Sequence, residues 1–246
     1  MRAATFDEQP GHEIFSDAER SAWHALFERH FGVADGRKAL DLASGTGVIS
    51  HLMHDLGFAV TGMDWSEAML EKARAKSRLR GSNIRFLLGD AEHTLEEDDS
   101  YDVIVTRHLV WTLVDPAAAF AEWFRVLKPG GKLLVVDGDF VSPTWATKLN
   151  KAMSGFLESI GLRKPTEPVA HMQTHRDILA RVHFSEGARA NDVSAMLART
   201  GFDPVVVDFD LRQIHAAQKK HISFAKGLER GAQHRYAICA QKPVAG

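Results

Sequence analysis

The sequence predicts an α/β protein: a mostly parallel sheet with helices on both faces. Between residues 38 and 137, apolar runs of strand length alternate with stretches of helical periodicity, which is the pattern of strand–helix–strand units. These runs are apolar nearly throughout, as expected for strands covered on both faces. With 246 residues, 45% of them hydrophobic, the chain can form one domain with an insertion.

The first helix is predicted to start at Ser16. Ser16 and Glu19 have the spacing of a capping box, and apolar residues recur at helical spacing up to Gly32. Asp115 and Pro116 suit the cap and first residue of a later helix. The predicted strands are 38–42, 58–63, 84–88, 101–105 and 132–137, with helices over 47–56, 67–79 and 117–127.

Beyond residue 140 the alternation stops. Residues 141–190 are too many for a plain loop, and apolar residues at helical spacing over 145–160 favour a helix, with a second short helix near 174–183. We therefore expect a helical lid over the carboxyl edge of the sheet. A helix near 191–200 and two closing strands, in "FDPVVVDFD" and "HRYAICAQ", complete the chain.

The predicted organisation is a single domain over residues 1–246. A helical N-terminal arm occupies 1–35, the ligand-binding core 36–140, the lid 141–190, and the closing helix and strands 191–246.

Composition excludes several classes of protein. The net charge of -2 disfavours binding along a nucleic-acid backbone. One cysteine, Cys239, cannot form a disulfide framework or a tetrathiolate zinc site. His171 and His175 have the spacing of two metal ligands on a helix, but no third ligand accompanies them, so no metal is expected. Without an apolar signal or spanning segment, a cytoplasmic protein without stable membrane association is predicted.

The stretch "LDLASGTG" at 40–47 raises the question of a ligand. A strand, a turn of small residues and a helix N-terminus together form a site for a polar or negative group, at the edge where open α/β sheets bind ligands. A dinucleotide fingerprint fits poorly, because Ala43 and Ser50 replace two of its glycines. A P-loop is excluded because no Gly-Lys-Ser/Thr follows the turn. Short-chain dehydrogenases are excluded because they need a lysine four residues after a tyrosine, and neither Tyr101 nor Tyr236 has one.

Five segments in order resemble the core of class I S-adenosylmethionine (SAM) methyltransferases. They are "ALDLASGTG", "VTGMDWSEAML", "LLGDAE", "YDVIVTRHLVWTLVDP" and "VLKPGGKLLVVDG", within residues 39–139. The chain as a whole looks like the bacterial small-molecule branch. The resemblance implies a seven-stranded sheet with its last strand antiparallel, SAM as cofactor, and methyl transfer to an O, N or C atom of a small-molecule acceptor.

On this resemblance, Gly45 and Gly47 let the backbone approach the methionine half of SAM, and Asp41 orients its amino group. Ala43 replaces a family glycine and is expected at negative φ. Asp64 accepts from both ribose hydroxyls. Trp65 and Met69 are predicted to pack on adenine, Asp90 and Ala91 to bond its edge, and Arg107 to lie near the methionine amine. The predicted cofactor-binding residues are therefore Asp41, Ala43, Gly45, Gly47, Asp64, Trp65, Met69, Asp90, Ala91 and Arg107.

His108 is the candidate general base, since it follows the fourth strand, where the methyl group should emerge. A base is needed only if the acceptor loses a proton; otherwise His108 positions the acceptor. Arg107 can pair with an acceptor carboxylate or with a protein acid. The acceptor contacts predicted are Phe6, His12, Trp111, His171, His175 and His215.

Three alternatives remain. A nucleic-acid methyltransferase is disfavoured because "TRHLVWTL" lacks the Asn/Asp-Pro-Pro-aromatic pattern and Cys239 lies far from it. A lipid or quinone methyltransferase at a membrane surface is disfavoured because the helix at 143–160 is not strongly basic. A non-catalytic SAM-binding regulatory module stays open.

Overall fold

The computed structural model describes residues 13–142, 181–220 and 233–244. Seven strands form one sheet in the order β3-β2-β1-β4-β5-β7-β6. Strand β7 runs antiparallel to both β5 and β6, while β1 to β5 pair in parallel. The strands are β1 Lys38–Leu42, β2 Ala59–Asp64, β3 Arg85–Leu88, β4 Tyr101–Arg107, β5 Leu127–Gly138, β6 Val205–Asp208 and β7 Arg235–Gln241. The predicted fold class is confirmed.

Helices cover both faces of this sheet, and each face has its own apolar core. One core joins the sheet to α1, α2, α3 and α6, and the other joins it to α4 and α5. Strands buried on both sides explain the continuous apolar runs in the sequence. The helices are α1 Asp17–Phe31, α2 Val48–Asp55, α3 Glu67–Arg80, α4 Pro116–Val126, α5 Ala190–Thr200 and α6 Arg212–Lys219.

Helix α1 begins where the capping residues predict. The Ser16 hydroxyl oxygen accepts from the Glu19 backbone N–H at 3.2 Å, whereas the Glu19 carboxylate accepts from the N–H of Phe15 at 3.3 Å rather than from that of Ser16. Glu19 is fully buried and also accepts from the Gln218 side-chain amide at 2.8 Å. This bond ties α1 to α6, a helix that the sequence pattern did not predict.

The predicted lid falls mostly outside the described residues, since 143–180 are not described. Residues 181–186 form turns, so the end of the helix predicted near 174–183 is wrong over 181–183. In the part of the chain with assigned positions, no helix combines the length and the apolar character needed to cross a membrane.

Candidate active site

A cavity of about 540 Å³ opens at the carboxyl ends of β1, β2 and β4, where sheets of this type bind ligands. Another cavity, of about 580 Å³, lies at the opposite edge around Lys38 and Arg85. We take the first as the functional site because the turn after β1 lines it. Its walls include Asp41, Ala43, Ser44, Gly45, Asp64, Trp65, Met69, Arg107, His108, Trp111, Phe140, Gln233 and Arg235.

One end of the cavity carries opposite charges close together. Asp41 is 1% exposed, and its Oδ2 accepts from the Ser50 hydroxyl at 2.5 Å. Burial raises the pKa of Asp41 to about 7, while the Ser50 bond and the nearby positive charge of Arg107 act in the lowering direction. The Arg107 guanidinium lies 5.5 Å from the centre of the Trp23 ring. A carboxyl and a guanidinium so placed complement the ammonium and carboxylate of an amino acid.

The turn after β1 differs from its prediction at Ala43. Its φ is +56°, not negative, so a non-glycine residue occupies the left-handed region at a cost of about 1–2 kcal/mol. The next residue explains this bend, because the Ser44 N–H donates to the Met63 carbonyl on the neighbouring strand at 2.9 Å. The turn's conformation is therefore set by a contact with β2.

Two features of this turn suit a ligand. The Ser44 hydroxyl is buried and has no hydrogen-bond partner among the described residues, and buried polar groups are normally paired. A Cβ added to Gly45, whose φ is +56°, would meet no heavy atom within 4 Å. The side of Gly45 that a side chain would occupy is thus open space in which a ligand can approach the backbone.

Gly47 has a structural role that the sequence did not indicate. It does not line the cavity; its φ is +81°, and an added Cβ would lie 2.9 Å from Cζ of Phe86. The left-handed conformation and the close packing against β3 by themselves require glycine at this position, and the approach of a ligand to Gly47 stays a prediction.

Asp64 lies at the end of β2 and braces the turn. Its Oδ2 accepts from the Gly45 N–H at 2.8 Å and its Oδ1 accepts from the Ser66 N–H at 2.9 Å. Burial raises the pKa of Asp64 against these bonds, which act in the lowering direction. Each carboxylate oxygen has a further lone pair, so Asp64 can still accept from a diol. Next to it, Met69 is buried and Trp65 is 83% exposed at the rim.

Asp90 and Ala91 do not line the cavity. The Asp90 carboxylate accepts from the Glu92 N–H at 2.9 Å, and the Ala91 carbonyl accepts from the indole N–H of Trp123 at 2.7 Å. The segment abuts the end of β2, because the Gly89 N–H donates to the Asp64 carbonyl. Contact of both residues with adenine stays a prediction.

The other end of the cavity is aromatic and basic. His108 has a φ of +59°, and its ring meets Phe140 edge-on with centroids 5.1 Å apart. Trp111 meets the same ring at 6.2 Å, and the Arg235 guanidinium lies 5.6 Å from its centre. Sequence reasoning missed Phe140, Gln233 and Arg235; the available signal was that they flank the ends of β5 and β7 at the ligand edge.

Asp137 fixes the backbone that carries His108 and Trp111. It is 2% exposed, its Oδ2 accepts from the Val110 N–H at 2.8 Å, and its Oδ1 accepts from the Gly138 N–H at 2.9 Å. Burial raises the pKa of Asp137 to about 7. These bonds hold the short helical turn Val110–Thr112 against β5.

Of the remaining predicted acceptor residues, the structure describes only His215, which does not line this cavity. His215, on α6, lines a neighbouring space of about 20 Å³ that also touches Arg107, His108 and Arg235. Phe6, His12, His171 and His175 lie outside the described residues.

Known proteins match both the sequence and the fold. A methyltransferase-domain family profile matches residues 40–135. Demethylmenaquinone methyltransferase of Renibacterium salmoninarum is 31% identical over 186 residues, covering 72% of this chain and 76% of that protein. The ubiquinone/menaquinone biosynthesis C-methyltransferase UbiE of Shewanella oneidensis is 36% identical over 136 residues, 51% of this chain and 54% of UbiE; the match thus spans about half the length of that relative.

Two solved structures show the same fold. One is phosphoethanolamine N-methyltransferase 2 of Haemonchus contortus in complex with SAM, with a TM-score of 0.67 and 17% sequence identity. The match covers 98% of this chain and 56% of that chain. A putative sarcosine dimethylglycine methyltransferase of Galdieria sulphuraria has a TM-score of 0.59 at 18% identity, covering 91% and 86%.

Sheet order, glycine turn and strand-end acids together define the class I methyltransferase fold. The relatives take the identification further: the chain belongs to the class I SAM-dependent methyltransferases. It is an enzyme that transfers a methyl group from SAM to small molecules. The family predicted from five sequence segments is confirmed.

The raised pKa of Asp41 predicts a pH-dependent cofactor affinity. If Asp41 binds the ammonium group of S-adenosylhomocysteine (SAH) as predicted, that group favours ionised Asp41, so below a pKa of about 7 binding must release a proton. Affinity should therefore rise with pH from about 5.5 to 7.5, by up to about 10-fold per unit below the pKa. Calorimetric titrations across this range should show the rise in wild type, and Asp41→Asn should remove it; an equal slope in the variant would contradict the role of Asp41.

Proposed function

We propose that SAM and the acceptor meet in the cavity of about 540 Å³, with the methionine half of SAM between Asp41 and Arg107. The acceptor lies against His108, Trp111 and Phe140. One observation carries this assignment: a single cavity is lined from both sides of the sheet's centre. Asp41 and Asp64 lie at the carboxyl ends of β1 and β2, whereas His108 and Phe140 follow β4 and β5, on the other side of β1 in the sheet order.

The cofactor end fits the chemistry of SAM. Asp64 offers lone pairs to the ribose hydroxyls, the Ser44 hydroxyl lacks a partner in the described structure, and Gly45 leaves its α-carbon uncovered. Met69 forms an apolar surface beside Asp64, suited to the adenine face. Trp65, at the rim, can pack on the outer face of the base.

Bound SAM supplies a methyl group already activated by its positive sulfur. The protein's main task is to hold two reactants in line, which can contribute about 7–11 kcal/mol. Trp111 and Phe140 provide flat walls that orient a ring and keep water away. His108 accepts the proton when the acceptor loses one during the transfer.

We further propose a planar ring compound as acceptor. The edge-on contacts of Phe140 with His108 and Trp111 form an aromatic wall, against which another ring can pack. Two relatives are named for methylation of demethylmenaquinone or for ubiquinone and menaquinone biosynthesis, whose quinones are ring compounds.

The cytoplasmic location of the protein stays a prediction.

The test is SAM turnover over a panel of phenols, aromatic amines and reduced quinones, followed as SAH formation. His108→Gln should lower kcat at least about 100-fold for an acceptor that must lose a proton, and should leave the Kd of SAH within about twofold. Arg212→Gln, an exposed change on α6, is the matched control. Absence of SAH formation with every ring compound would overturn the proposed acceptor class.

A further inference from the structure

The acceptor end of the cavity contains an oriented guanidinium that the methyl transfer itself does not require. Both Nε and Nη2 of Arg235 donate to the side-chain oxygen of Gln233, at 3.2 and 2.8 Å. The group also lies over Phe140, whose ring contacts His108 and Trp111. The guanidinium plane of Arg235 is thus kept in one orientation beside the aromatic wall on which the acceptor is proposed to pack.

Arg235 lies near buried Asp137, but that acid does not explain the orientation. The Asp137 oxygens accept backbone N–H groups of Val110 and Gly138. Arg235 lowers the pKa of Asp137 as a neighbouring charge, but burial, which raises it, has the largest effect. The contacts with Gln233 and Phe140 help to orient the guanidinium plane.

Charge is distributed unevenly along the cavity. Asp41 and Asp64 lie at the carboxyl ends of β1 and β2, where SAM is assigned, with Arg107 near Asp41. SAM itself brings a positive sulfur. Arg235, at the start of β7, lines the cavity on the side of His108. An anionic group on the acceptor would lie away from these acids and next to the guanidinium. A planar guanidinium can form two parallel hydrogen bonds to one carboxylate or phosphate group.

We propose that Arg235 selects an acceptor that carries an anionic group, a carboxylate or a phosphate ester, on its planar ring. This inference rests on the proposed function, since it needs the acceptor to lie against Phe140. Arg235 is then a specificity-determining residue: it acts on the binding of the acceptor, with Gln233 as its positioning residue, and takes no part in proton transfer.

The experiment compares three probes that share a benzene ring: benzoate, phenyl phosphate and neutral benzamide. Each is titrated into the full-length protein saturated with SAH, and binding is measured by ligand-observed NMR. Saturation with SAH fills the cofactor end, so the probes report on the other end alone. We expect at least one anionic probe to bind at least about 10-fold more tightly than benzamide, and the probe that does so tells carboxylate from phosphate.

Arg235→Gln should reduce this preference to less than about twofold while leaving the Kd of SAH unchanged, and Arg235→Lys should retain part of it. Arg212→Gln, 88% exposed in its side chain, should behave as wild type. The comparison of probes on the wild-type protein does not depend on the folding of any variant. Equal binding of all three probes to SAH-bound protein would overturn the inference about Arg235 but not the proposed function. A preference that persists in Arg235→Gln also overturns it, and failure of SAH to bind removes the proposed function as well.

Discussion

Replacing Asp64 with alanine will weaken binding of SAH by at least about 30-fold, because hydrogen bonds to a charged group contribute about 1.5–3 kcal/mol each. The carboxylate is expected to accept from the ribose hydroxyls while it accepts from the N–H groups of Gly45 and Ser66. Alanine removes both functions, so the turn loses its brace and the ribose loses its partner. Calorimetric titration of SAH measures the loss.

Asp64→Asn is the matched control for this variant. It retains the shape and one acceptor oxygen, but it sets an NH₂ group against one of the two backbone N–H donors, so its affinity should fall between wild type and alanine. Asp210→Asn, an exposed acid paired with Arg212, should have no effect. Thermal unfolding scans establish that each protein is folded; unchanged affinity in a folded Asp64→Ala protein would remove Asp64 from the cofactor site.

Gly47→Ala will have the largest effect on stability. Its φ of +81° is unfavourable for alanine, and the new Cβ would lie 2.9 Å from Phe86 and 3.2 Å from Ala73. The conformational cost of about 1–2 kcal/mol and an overpacking cost of about 1–3 kcal/mol together predict a loss of about 2–5 kcal/mol. Urea unfolding monitored by tryptophan fluorescence measures this free energy.

Gly45→Ala provides a sharp comparison, because it has a similar positive φ but no heavy atom near the added Cβ. It should cost only the conformational part, about 1–2 kcal/mol, yet it should weaken SAH binding more than Gly47→Ala does. Combining Gly47→Ala with Phe86→Leu should recover part of the lost stability if packing causes it. Equal stability losses at both glycines would show that contact with Phe86 is unimportant.

The sheet could be predicted from sequence because its strands are buried on both faces and therefore appear as unbroken apolar runs. The start of β1 at Lys38 was predicted to the residue. Helix α6 was not predicted, because it is only eight residues long and Ile214 is its one large apolar residue, too few for a helical repeat to be recognised. The sign of φ at Ala43 likewise depends on a bond from Ser44 to a neighbouring strand.

The two ends of the cavity also differ in how far the sequence could predict them. The cofactor end is formed largely by motifs in family order, so the sequence predicted Asp41, Gly45 and Asp64 there. The acceptor end is assembled by the sheet: Gly138 pairs with Arg235 across β5 and β7, which places Arg235 beside Phe140 although 94 residues separate them in the chain. No local pattern indicates such a pair.

We propose above all that the carboxyl edge of this sheet binds an adenosyl amino acid in the cavity lined by Asp41, Asp64 and Gly45. Calorimetric titration of SAH into the wild-type protein tests it most directly. We predict one SAH bound per chain with a Kd of about 1–100 µM, in the range of substrate affinities typical of enzymes. A folded protein that takes up no SAH at millimolar concentration would contradict the account.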